Sequence, residues 1–554
     1  MLEIAIPMRR PLFVCLVLSA ACALFAQSAS APPASWKPAL DRLEAIGEVP
    51  LAEWRFHADV AHPEDPALDD SSWSVVKVGD HWSGACVLRR MVEIPAKVAG
   101  YDAGGARVKL DLSTSSWSPV MLTVFSNSAV VARFDEDMEQ PITLTEAAQP
   151  GEKFLIAIRL DLRPENIDLR RARLLIEPPA LRPDPGLLRM EILSAWPVVH
   201  AYEEGRAARE QQLDSAVKAI DVAALDRGDQ HAFDNSLRAA QSDLEPLRSW
   251  LRQFTIHATG NSHIDMAWLW PWTETVEVVR NTFRSALDLM REYPDFTFSM
   301  GSAQTFQWME EKYPDLFREI QQRVKEGRWE LVGGMWVEPD LNMPAGESLV
   351  RQLLVGKRYF RQKFGVDVRI GWNPDSFGYS WQLPQIYKRS GIDYFVTQKL
   401  LWASDTTKFP HRLFWWESPD GSRVLTYFPQ DYAGGIDAQH LASNLSVWGP
   451  LMYGQSTSVQ PEMMHLFGVG DHGGGPTRDM LDDGLRLQSR DVVYPKLQFG
   501  TAAGFFADLE KKLPEMTVPT WKDELYFEYH RGVLTSQADT KQRIRHDEEL
   551  LLNA

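Results

Sequence analysis

Apolar residues change their spacing along the chain, and each spacing predicts a different kind of structure. Between residues 52 and 200, short and partly alternating apolar runs are separated by turn residues, as at 73–78, 107–112, 120–125 and 154–160. Runs of this length and separation are typical of an antiparallel β-sandwich. Residues 52–200 are therefore predicted to be mainly β-structure.

Two further patterns follow, in residues 201–252 and 253–505. In the first, apolar residues recur at helical spacing over 212–220 and 233–251, which predicts a helical connector. In the second, short apolar runs alternate with helical stretches such as 304–325, which predicts β/α units around a parallel sheet or barrel. In such folds, the functional residues lie at the carboxyl ends of the strands.

Polar residues concentrate in the loops after these predicted strands. One strand ends at Gly260 and is followed by His263 and Asp265, whose side chains point to the same side if the strand continues. An imidazole and a carboxylate placed together form half of a divalent-metal site with N and O ligands. Three other loops carry Glu338, Asp340, Asn373, Asp375, Asp471 and His472. Because four loops converge on one edge of the sheet, we predict a functional site there.

The N-terminal residues carry the pattern of an export signal. Arg9 and Arg10 precede an apolar run at 11–26, and small residues after it offer a cleavage site, so 1–31 is interpreted as a signal peptide. Lipoprotein anchoring at Cys22 is disfavoured, because Ser stands three positions earlier where Leu is preferred. We therefore expect an exported bacterial protein, periplasmic or extracellular. The alternative is a start placed upstream of a cytosolic protein.

The charge of the chain excludes some classes of binding partner. The formal net charge of −17 argues against nucleic acid or an anionic membrane as a partner. Only Cys86 lies beyond the signal region, so no intrachain disulfide is predicted.

The 554 residues are enough for several domains. We predict a signal peptide at 1–31, a linker with a short helix at 32–51, a β-sandwich at 52–200, a helical connector at 201–252, a β/α domain at 253–505 and the start of a helical domain at 506–554.

Four separated motifs resemble glycoside hydrolase family 38, the metal-dependent retaining α-mannosidases. They are GNSHIDMAWLW, VGGMWVEPD, GWNPDSFGYS and ELYFEYHRGVLTSQA, and the resemblance covers about 253–554. The sandwich before them fits the branch with cytosolic, vacuolar and bacterial enzymes, and 69–82 resembles the start of a jelly-roll domain. The resemblance implies a seven-stranded (β/α) barrel-like catalytic domain. It also implies a C-terminally truncated chain that contains only the start of the helical middle domain.

The resemblance implies one divalent ion, usually Zn²⁺ with Co²⁺ as an alternative. Its ligands by position are His263, Asp265, Asp375 and His530, and two imidazoles with two carboxylates suit Zn²⁺. In the family the ion grips two hydroxyls of the mannose that is cleaved. Asp375 is also the implied nucleophile, which would form a glycosyl-enzyme that is later hydrolysed with net retention.

Retention requires a second carboxyl group as acid and then base, and Asp471 in the glycine-rich segment 469–475 is predicted for it. The better-known family members place a second carboxylate directly after this residue, where this chain has His472. That histidine either tunes Asp471 or is a loop residue without a role.

Four other residues are predicted to contact the sugar. The resemblance implies that Trp268 stacks on it and that Phe377 is a wall of the pocket, because the apolar face of a pyranose packs well on aromatic rings. Glu338 and Asp340 are predicted to bind sugar hydroxyls or, alternatively, to be only salt-bridge partners.

The predicted function is hydrolysis of terminal α-D-mannose from mannose-containing oligosaccharides or glycans. We expect no nucleic-acid partner, no membrane contact beyond the export signal, and either a monomer or a homo-oligomer. One alternative is a metal-dependent polysaccharide deacetylase, which would need an additional His pair in H-x₃-H spacing that this region lacks. The other is a catalytically inactive carbohydrate-binding protein, because full-length relatives continue into β domains that help to wall the pocket.

Overall fold

The computed structural model describes residues 31–58, 60–115, 121–135, 141–161, 166–402, 408–455 and 457–554. The predicted signal peptide lies outside these ranges apart from residue 31, and so do Cys15 and Cys22. Within the described ranges, every helix is too short or too polar to cross a bilayer. Cys86 is buried and its thiol is free.

The first part of the described chain is built from short strands. They are β1 (Glu48–Pro50), β2 (Glu53–His57), β3 (Ser74–Lys77), β4 (His81–Ser83), β5 (Cys86–Glu93), β6 (Lys97–Val98), β7 (Tyr101–Asp102), β8 (Arg107–Ser115), β9 (Met121–Ser126), β10 (Ala129–Asp135), β11 (Ile142–Thr145), β12 (Lys153–Asp161) and β13 (Asn166–Glu177). The predicted runs at 73–78, 107–112 and 154–160 coincide with β3, β8 and β12. The run at 120–125 coincides with β9, although its first residue lies outside the described ranges.

These strands form two antiparallel sheets and a small hairpin of β6 and β7. One sheet has the order β1-β13-β8-β11, with β4 also paired to β13, and the other has the order β10-β9-β12-β5-β2-β3. Side chains alternate between buried and more exposed along β9, as they do in a strand with one face on a core. Buried side chains from both sheets, including Leu88, Leu110 and Ile156, pack into one apolar core.

Five helices pack around the junction with the second half of the chain: α1 (Lys37–Gly47), α2 (Pro185–Ala201), α3 (Arg206–Ala219), α4 (Val222–Asp226) and α5 (Gln230–Leu251). The short helix predicted within the linker is α1, and it is packed rather than free. Leu40, Leu43 and Ile46 recur at helical spacing and are buried, and the ring of Trp36 lies 5.0 Å from that of Trp196 on α2. These helices share an apolar core with the β/α region that follows.

The β/α region contains β14 (Thr255–Asn261), α6 (Trp272–Glu292), β15 (Phe298–Met300), α7 (Ala303–Lys312), α8 (Pro314–Lys325), β16 (Trp329–Leu331), α9 (Gly346–Phe364), β17 (Ile370–Trp372), α10 (Leu383–Arg389), β18 (Tyr394–Val396), β19 (Leu413–Glu417), β20 (Arg423–Tyr427), α11 (Ala438–Tyr453), β21 (Glu462–Phe467), α12 (Arg478–Gln488), β22 (Lys496–Phe499), α13 (Ala502–Lys512) and β23 (Thr520–Trp521). The single helix predicted at 304–325 is two helices, α7 and α8. Proline disfavours helical backbone at the residue before it, and Tyr313, which precedes Pro314, has φ −135° and ψ 61°.

The strands of this region form two sheets of five. In the first, β16-β15-β14-β21 run parallel and β22 also pairs with β14. The second has the order β17-β18-β20-β19-β23, in which β19 is antiparallel to β20. The Gly333 N–H donates to Ile370 O at 2.7 Å and links the segment after β16 to β17. The Tyr427 hydroxyl donates to Met464 O at 3.2 Å and links β20 to β21.

The last helix is α14 (Ala538–Asn553), which begins two residues after Ser536. Ser536 does not cap the helix, because its hydroxyl donates to Val533 O and because Gln537 adopts a left-handed conformation with φ 55°. The Glu548 carboxylate anchors α14 by accepting the backbone N–H of Ala345 at 3.1 Å and the hydroxyl of Ser348.

Candidate active site

Three of the four predicted metal ligands lie together at the carboxyl ends of β14 and β17. The side-chain ligand atoms of His263, Asp265 and Asp375 all lie within 4.8 Å of one another. The His263 Nε2 atom is 3.4 Å from Asp265 Oδ1 and 3.9 Å from Asp375 Oδ2. One loop supplies two of these groups and a second loop supplies the third, because parallel strands bring their following loops to one edge.

Glu338, in the loop after β16, contacts both of these ligand loops. Its Oε2 atom lies 3.4 Å from His263 Nδ1, and its Oε1 atom accepts the backbone N–H of Asp375 at 2.8 Å. Burial raises the pKa of Glu338 to about 7, against the opposing effect of His263. Burial lowers the pKa of His263, but the charges of Glu338, Asp265 and Asp375 outweigh burial and raise it to about 10.

Two residues that sequence reasoning missed hold the Asp375 carboxylate. The ammonium group of Lys399 donates to Asp375 Oδ1 at 2.5 Å, and the hydroxyl of Tyr432 donates to the same oxygen at 2.9 Å. Both side chains are buried. Lys399 follows β18 and Tyr432 follows β20, so the rule that functional residues follow strands could have identified them.

Lys399 is surrounded by aromatic rings as well as by the carboxylate. Its Nζ atom lies 3.5 Å from the centroid of the Trp402 ring, 4.8 Å from that of Phe377 and 5.8 Å from that of Phe527. A cation over aromatic faces is stabilised by their quadrupoles. The ammonium group is therefore held beside Asp375 without direct exposure to solvent, since Lys399 is only 2% exposed.

Asp471, the predicted acid and base, also contacts the Tyr432 hydroxyl, whose oxygen is 3.4 Å from Asp471 Oδ1. Burial raises the pKa of Asp471. The backbone of Asp471 has φ 59°, a strained conformation that is concentrated at functional sites. Its carbonyl accepts the Asp265 N–H at 2.9 Å. A Cβ at Gly470 would lie 2.8 Å from the Cβ of Ala433, so only glycine permits this close approach.

The fourth predicted ligand, His530, lies outside the group of three. Its ring packs against Phe377 at 4.6 Å between centroids and against Phe527 at 5.1 Å. Burial lowers the pKa of His530, and the nearby charge of Lys399 lowers it further. Phe377 is partly exposed and lines the cavity beside Asp375.

The remaining predicted residues are more dispersed. Trp268 is 62% exposed, and its ring packs edge-on to Trp270 at 5.9 Å. Asp340 lines the cavity, but its Oδ1 atom also accepts the backbone N–H groups of Asn342 and Met343, which closes a turn of its own loop. His472 turns towards helix α6, where its Nε2 atom lies 3.0 Å from Glu274 Oε1.

A cavity of about 340 Å³ opens over the acidic group. Its lining includes His263, Asp265, Glu338, Asp375 and Phe377. The C-terminal segment contributes Val533, Leu534, Ser536 and Lys541 to the same lining. The Lys541 ammonium donates to Val533 O, so the start of α14 is tied to the loop that covers the cavity.

The group of three fits a divalent cation by its donor chemistry. His263 Nε2 is buried and makes no well-formed hydrogen bond within the described residues, although two carboxylates flank it. A buried imidazole nitrogen without a partner is unfavourable unless a ligand satisfies it. One imidazole nitrogen and two carboxylate oxygens match the ligand types of Zn²⁺.

Comparison with known proteins identifies the family of this region. Residues 253–524 match the N-terminal domain of glycosyl hydrolases family 38. The chain is 42% identical over 305 residues to Alpha-mannosidase 2C1 of Homo sapiens, which covers 54% of this chain and 29% of that protein. It is 40% identical over 301 residues to Alpha-mannosidase of Saccharomyces cerevisiae, with coverage of 52% and 27%. For Alpha-mannosidase G of Dictyostelium discoideum the identity is 39% over 316 residues, with coverage of 57% and 28%.

The same relatives contradict the predicted localisation. They are of cytosolic and vacuolar types, so the prediction of export to a periplasm or to the extracellular space is wrong. That prediction depended on a basic and then apolar pattern in residues 1–31, which lies outside the described residues apart from its last position. Residues 1–31 show only this order of charged and apolar residues, and the types of the relatives contradict the export that it predicts.

The chain spans less than a third of the length of each of these three relatives. The matched segment nevertheless contains the strands β14 to β22 and the loops that carry His263, Asp265, Glu338, Asp375 and Asp471. Residues 253–524 therefore belong to the N-terminal domain of glycosyl hydrolases family 38.

Proposed function

We propose that this protein is an α-mannosidase that releases terminal α-D-mannose from oligosaccharides or glycans with net retention of configuration. The observation that carries the proposal is that two carboxylates, Asp375 and Asp471, share the Tyr432 hydroxyl, and that Asp375 lines a cavity. The names of the related proteins favour mannose as the sugar.

The spacing of the two carboxylates supports retention. Oxygens that share one hydroxyl partner at 2.9 Å and 3.4 Å must lie closer together than about 6.5 Å, the lower end of the range for inverting glycosidases. Inverting enzymes need the larger distance because a water molecule must fit between the base and the sugar. A shorter distance suits direct attack by one carboxylate.

The surroundings of each carboxylate favour different roles. Asp375 accepts hydrogen bonds from the Lys399 ammonium and the Tyr432 hydroxyl, and both donors hold its carboxylate in place for nucleophilic attack. Burial raises the pKa of Asp471, which favours the protonated form that donates to the leaving oxygen. We infer that Asp375 attacks the anomeric carbon and that Asp471 acts first as acid and then as base.

We propose that His263, Asp265 and Asp375 hold a divalent cation, with Zn²⁺ favoured over Co²⁺ by the ligand types. When bound, the cation would act as a template that orients sugar hydroxyls over Asp375. His530 becomes a fourth ligand only if its ring turns away from Phe377. Phe377 and the exposed Trp268 offer apolar faces for the sugar ring. Asp340 lines the cavity, where its carboxylate can accept hydrogen bonds from the hydroxyl groups of the sugar.

We propose that the seven parallel strands β14, β15, β16, β17, β18, β20 and β21 act as a barrel-like scaffold for this site. The links from Gly333 to Ile370 and from Tyr427 to Met464 support this arrangement. The strands before residue 200 are proposed as a jelly-roll-like sandwich, and the residues after β23 as the beginning of a helical domain.

The test is hydrolysis of 4-nitrophenyl α-D-mannoside by the full 554-residue chain, before and after removal of metal with a chelator. We expect turnover that is lost on chelation and restored by one equivalent of Zn²⁺. Proton NMR of the first product should show α-mannose before mutarotation. A first product of β-mannose would contradict the retaining mechanism, and metal binding without any turnover would favour a carbohydrate-binding role instead.

A further inference from the structure

The Glu338 carboxylate connects two loops that carry proposed metal ligands. It follows β16, whereas His263 follows β14 and Asp375 follows β17. One oxygen faces His263 Nδ1 at 3.4 Å, and the other accepts the Asp375 backbone N–H at 2.8 Å. Each of its oxygens therefore already has a protein partner, which distinguishes Glu338 from a residue that only faces the cavity.

The contact with Nδ1 determines which ring nitrogen of His263 is free. A carboxylate oxygen accepts hydrogen bonds but cannot donate them when ionised, so it favours the form of the ring that has its proton on Nδ1. In this form, which binding of a cation requires, the Nε2 lone pair faces Asp265 and Asp375, from which Nε2 lies at 3.4 Å and 3.9 Å. This is the atom without a well-formed hydrogen bond among the described residues.

The second contact holds the backbone at the other ligand loop. Asp375 lies three residues beyond the end of β17, and its backbone N–H donates to the Glu338 side chain. The hydrogen bond from its N–H to Glu338 fixes the start of this loop relative to the segment after β16. The same carboxylate thus sets the orientation of one ligand and the position of another.

We propose that Glu338 is a positioning residue for the cation site, which strengthens metal binding by fixing the His263 tautomer and the Asp375 backbone. This inference rests on the ligand set of the proposed function. It replaces a role in which Glu338 only binds sugar hydroxyls, and it makes a prediction that can be measured without any sugar. A carboxylate that orients a metal-binding histidine typically contributes about 10–100-fold to metal affinity.

Glu338→Gln is the informative substitution because a carboxamide has only one acceptor oxygen. If that oxygen keeps the Asp375 N–H, the amide NH₂ faces His263 Nδ1 and favours the tautomer with its proton on Nε2, which cannot bind a cation. We expect about 10–100-fold weaker Zn²⁺ binding by the metal-free full chain, measured by competition with a chromogenic chelator. Glu338→Asp, which keeps the charge but shortens the side chain, should give an intermediate affinity.

Glu330→Gln is the matched control. Glu330 is a buried glutamate on β16 whose carboxylate accepts hydrogen bonds from the Ser299 hydroxyl and from the N–H groups of Ala502 and Ala503. The Glu330→Gln substitution should lower the urea midpoint of unfolding and leave the Zn²⁺ affinity unchanged. This variant separates general destabilisation of a buried carboxylate from the specific loss of metal affinity.

The outcomes separate this inference from the proposed function. Zn²⁺ affinities of Glu338→Gln and Glu338→Asp within about twofold of the wild type would overturn the positioning role, even if the wild type hydrolyses mannosides. If Glu338→Gln does not fold, the Zn²⁺ affinity of Glu338→Asp alone tests the positioning role. If the wild type hydrolyses no mannoside but the variants bind Zn²⁺ more weakly than it does, the positioning role is supported and the proposed function is refuted. Absence of Zn²⁺ binding by the wild type would overturn both.

Discussion

Asp375 and Asp471 share a hydrogen-bond partner, the Tyr432 hydroxyl, but differ in what else surrounds them. The Lys399 ammonium contacts Asp375, whereas burial is the dominant influence on Asp471 and raises its pKa. Two neighbouring carboxyl groups in different surroundings can take different roles, and these surroundings fit the proposed nucleophile and the proposed acid. At the scale of the residue, neighbours rather than residue type thus separate the two roles.

Asp471→Asn tests the acid role. We expect a loss of about 10²–10⁴-fold in hydrolysis for substrates with poor leaving groups, which need protonation, and a smaller loss for activated ones. The measurement is kcat/KM across aryl α-mannosides whose leaving groups differ in pKa. Asp431→Asn, which removes a carboxylate that contacts His440 at 3.1 Å, is the control and should follow the wild type. An equal loss on every substrate would argue against the acid role.

Helix α2 carries a buried glutamate that makes the stability of the fold depend on pH. Burial raises the pKa of Glu191 to about 7, and its Oε1 atom accepts the Val493 N–H at 2.8 Å. The folded state holds the proton more tightly than the unfolded state does, so stability falls as pH rises from about 4.5 to about 7 and is constant above. This contact joins α2 to the loop before β22.

Glu191→Gln should remove this dependence, because glutamine is neutral at every pH and keeps the acceptor oxygen. Relative to the wild type, the variant should gain up to about 3 kcal/mol of unfolding free energy between pH 5 and pH 8. Urea unfolding at both pH values measures the difference. The exposed Glu203→Gln serves as the control, and an equal pH dependence in Glu191→Gln and the wild type would contradict the prediction.

Helix α14 contributes to the site although none of its side chains is fully buried. The Glu548 carboxylate holds it to Ala345 and Ser348, and Lys541 at its other end lines the cavity. An element with few buried contacts opens easily, so its anchor controls how often the cavity wall is in place.

Glu548→Ala should therefore raise KM for aryl α-mannosides several-fold with a smaller effect on kcat, because it loosens a wall of the cavity and leaves the two carboxylates in place. Steady-state kinetics give the two constants. Glu549→Ala, a change at the adjacent exposed position on the same helix, is the matched control. The prediction fails if both variants have the KM of the wild type.

Over the whole molecule, the sandwich has an apolar core of its own, whereas the helices α1 to α5 share theirs with the β/α region. Cores that share few side chains unfold with partial independence. The proposed cation binds only the β/α region, so it should stabilise that region selectively through linkage.

Leu110→Ala tests this division. Leu110 is fully buried in the sandwich core, and its truncation should cost about 2–5 kcal/mol. Calorimetry should show that the substitution lowers one thermal transition and that added Zn²⁺ raises a different one, with Zn²⁺ affinity unchanged. A single transition that responds to both the substitution and Zn²⁺ would show that the cores are coupled.

Local sequence patterns predicted many of the helices and strands and part of the candidate site. The alternation in β9, the helical spacing of Leu40, Leu43 and Ile46, and the polar residues after β14 and β17 are all local features, because side-chain direction repeats every two residues in a strand and every 3.6 in a helix. The structure brings together His263, Asp265 and Asp375, which were predicted from strand ends and motifs.

Only the tertiary structure decided which partners these residues have. Lys399 and Tyr432 are 24 and 57 positions from Asp375 in sequence, and no local period relates them to it. The contact of Glu338 with His263 Nδ1 and the packing of His530 on Phe377 likewise depend on the order and register of strands and on where the C-terminal segment crosses the cavity. Sequence thus determined which loops carry chemistry, whereas strand pairing determined the distances between them, because those distances are set by contacts between residues far apart in the chain.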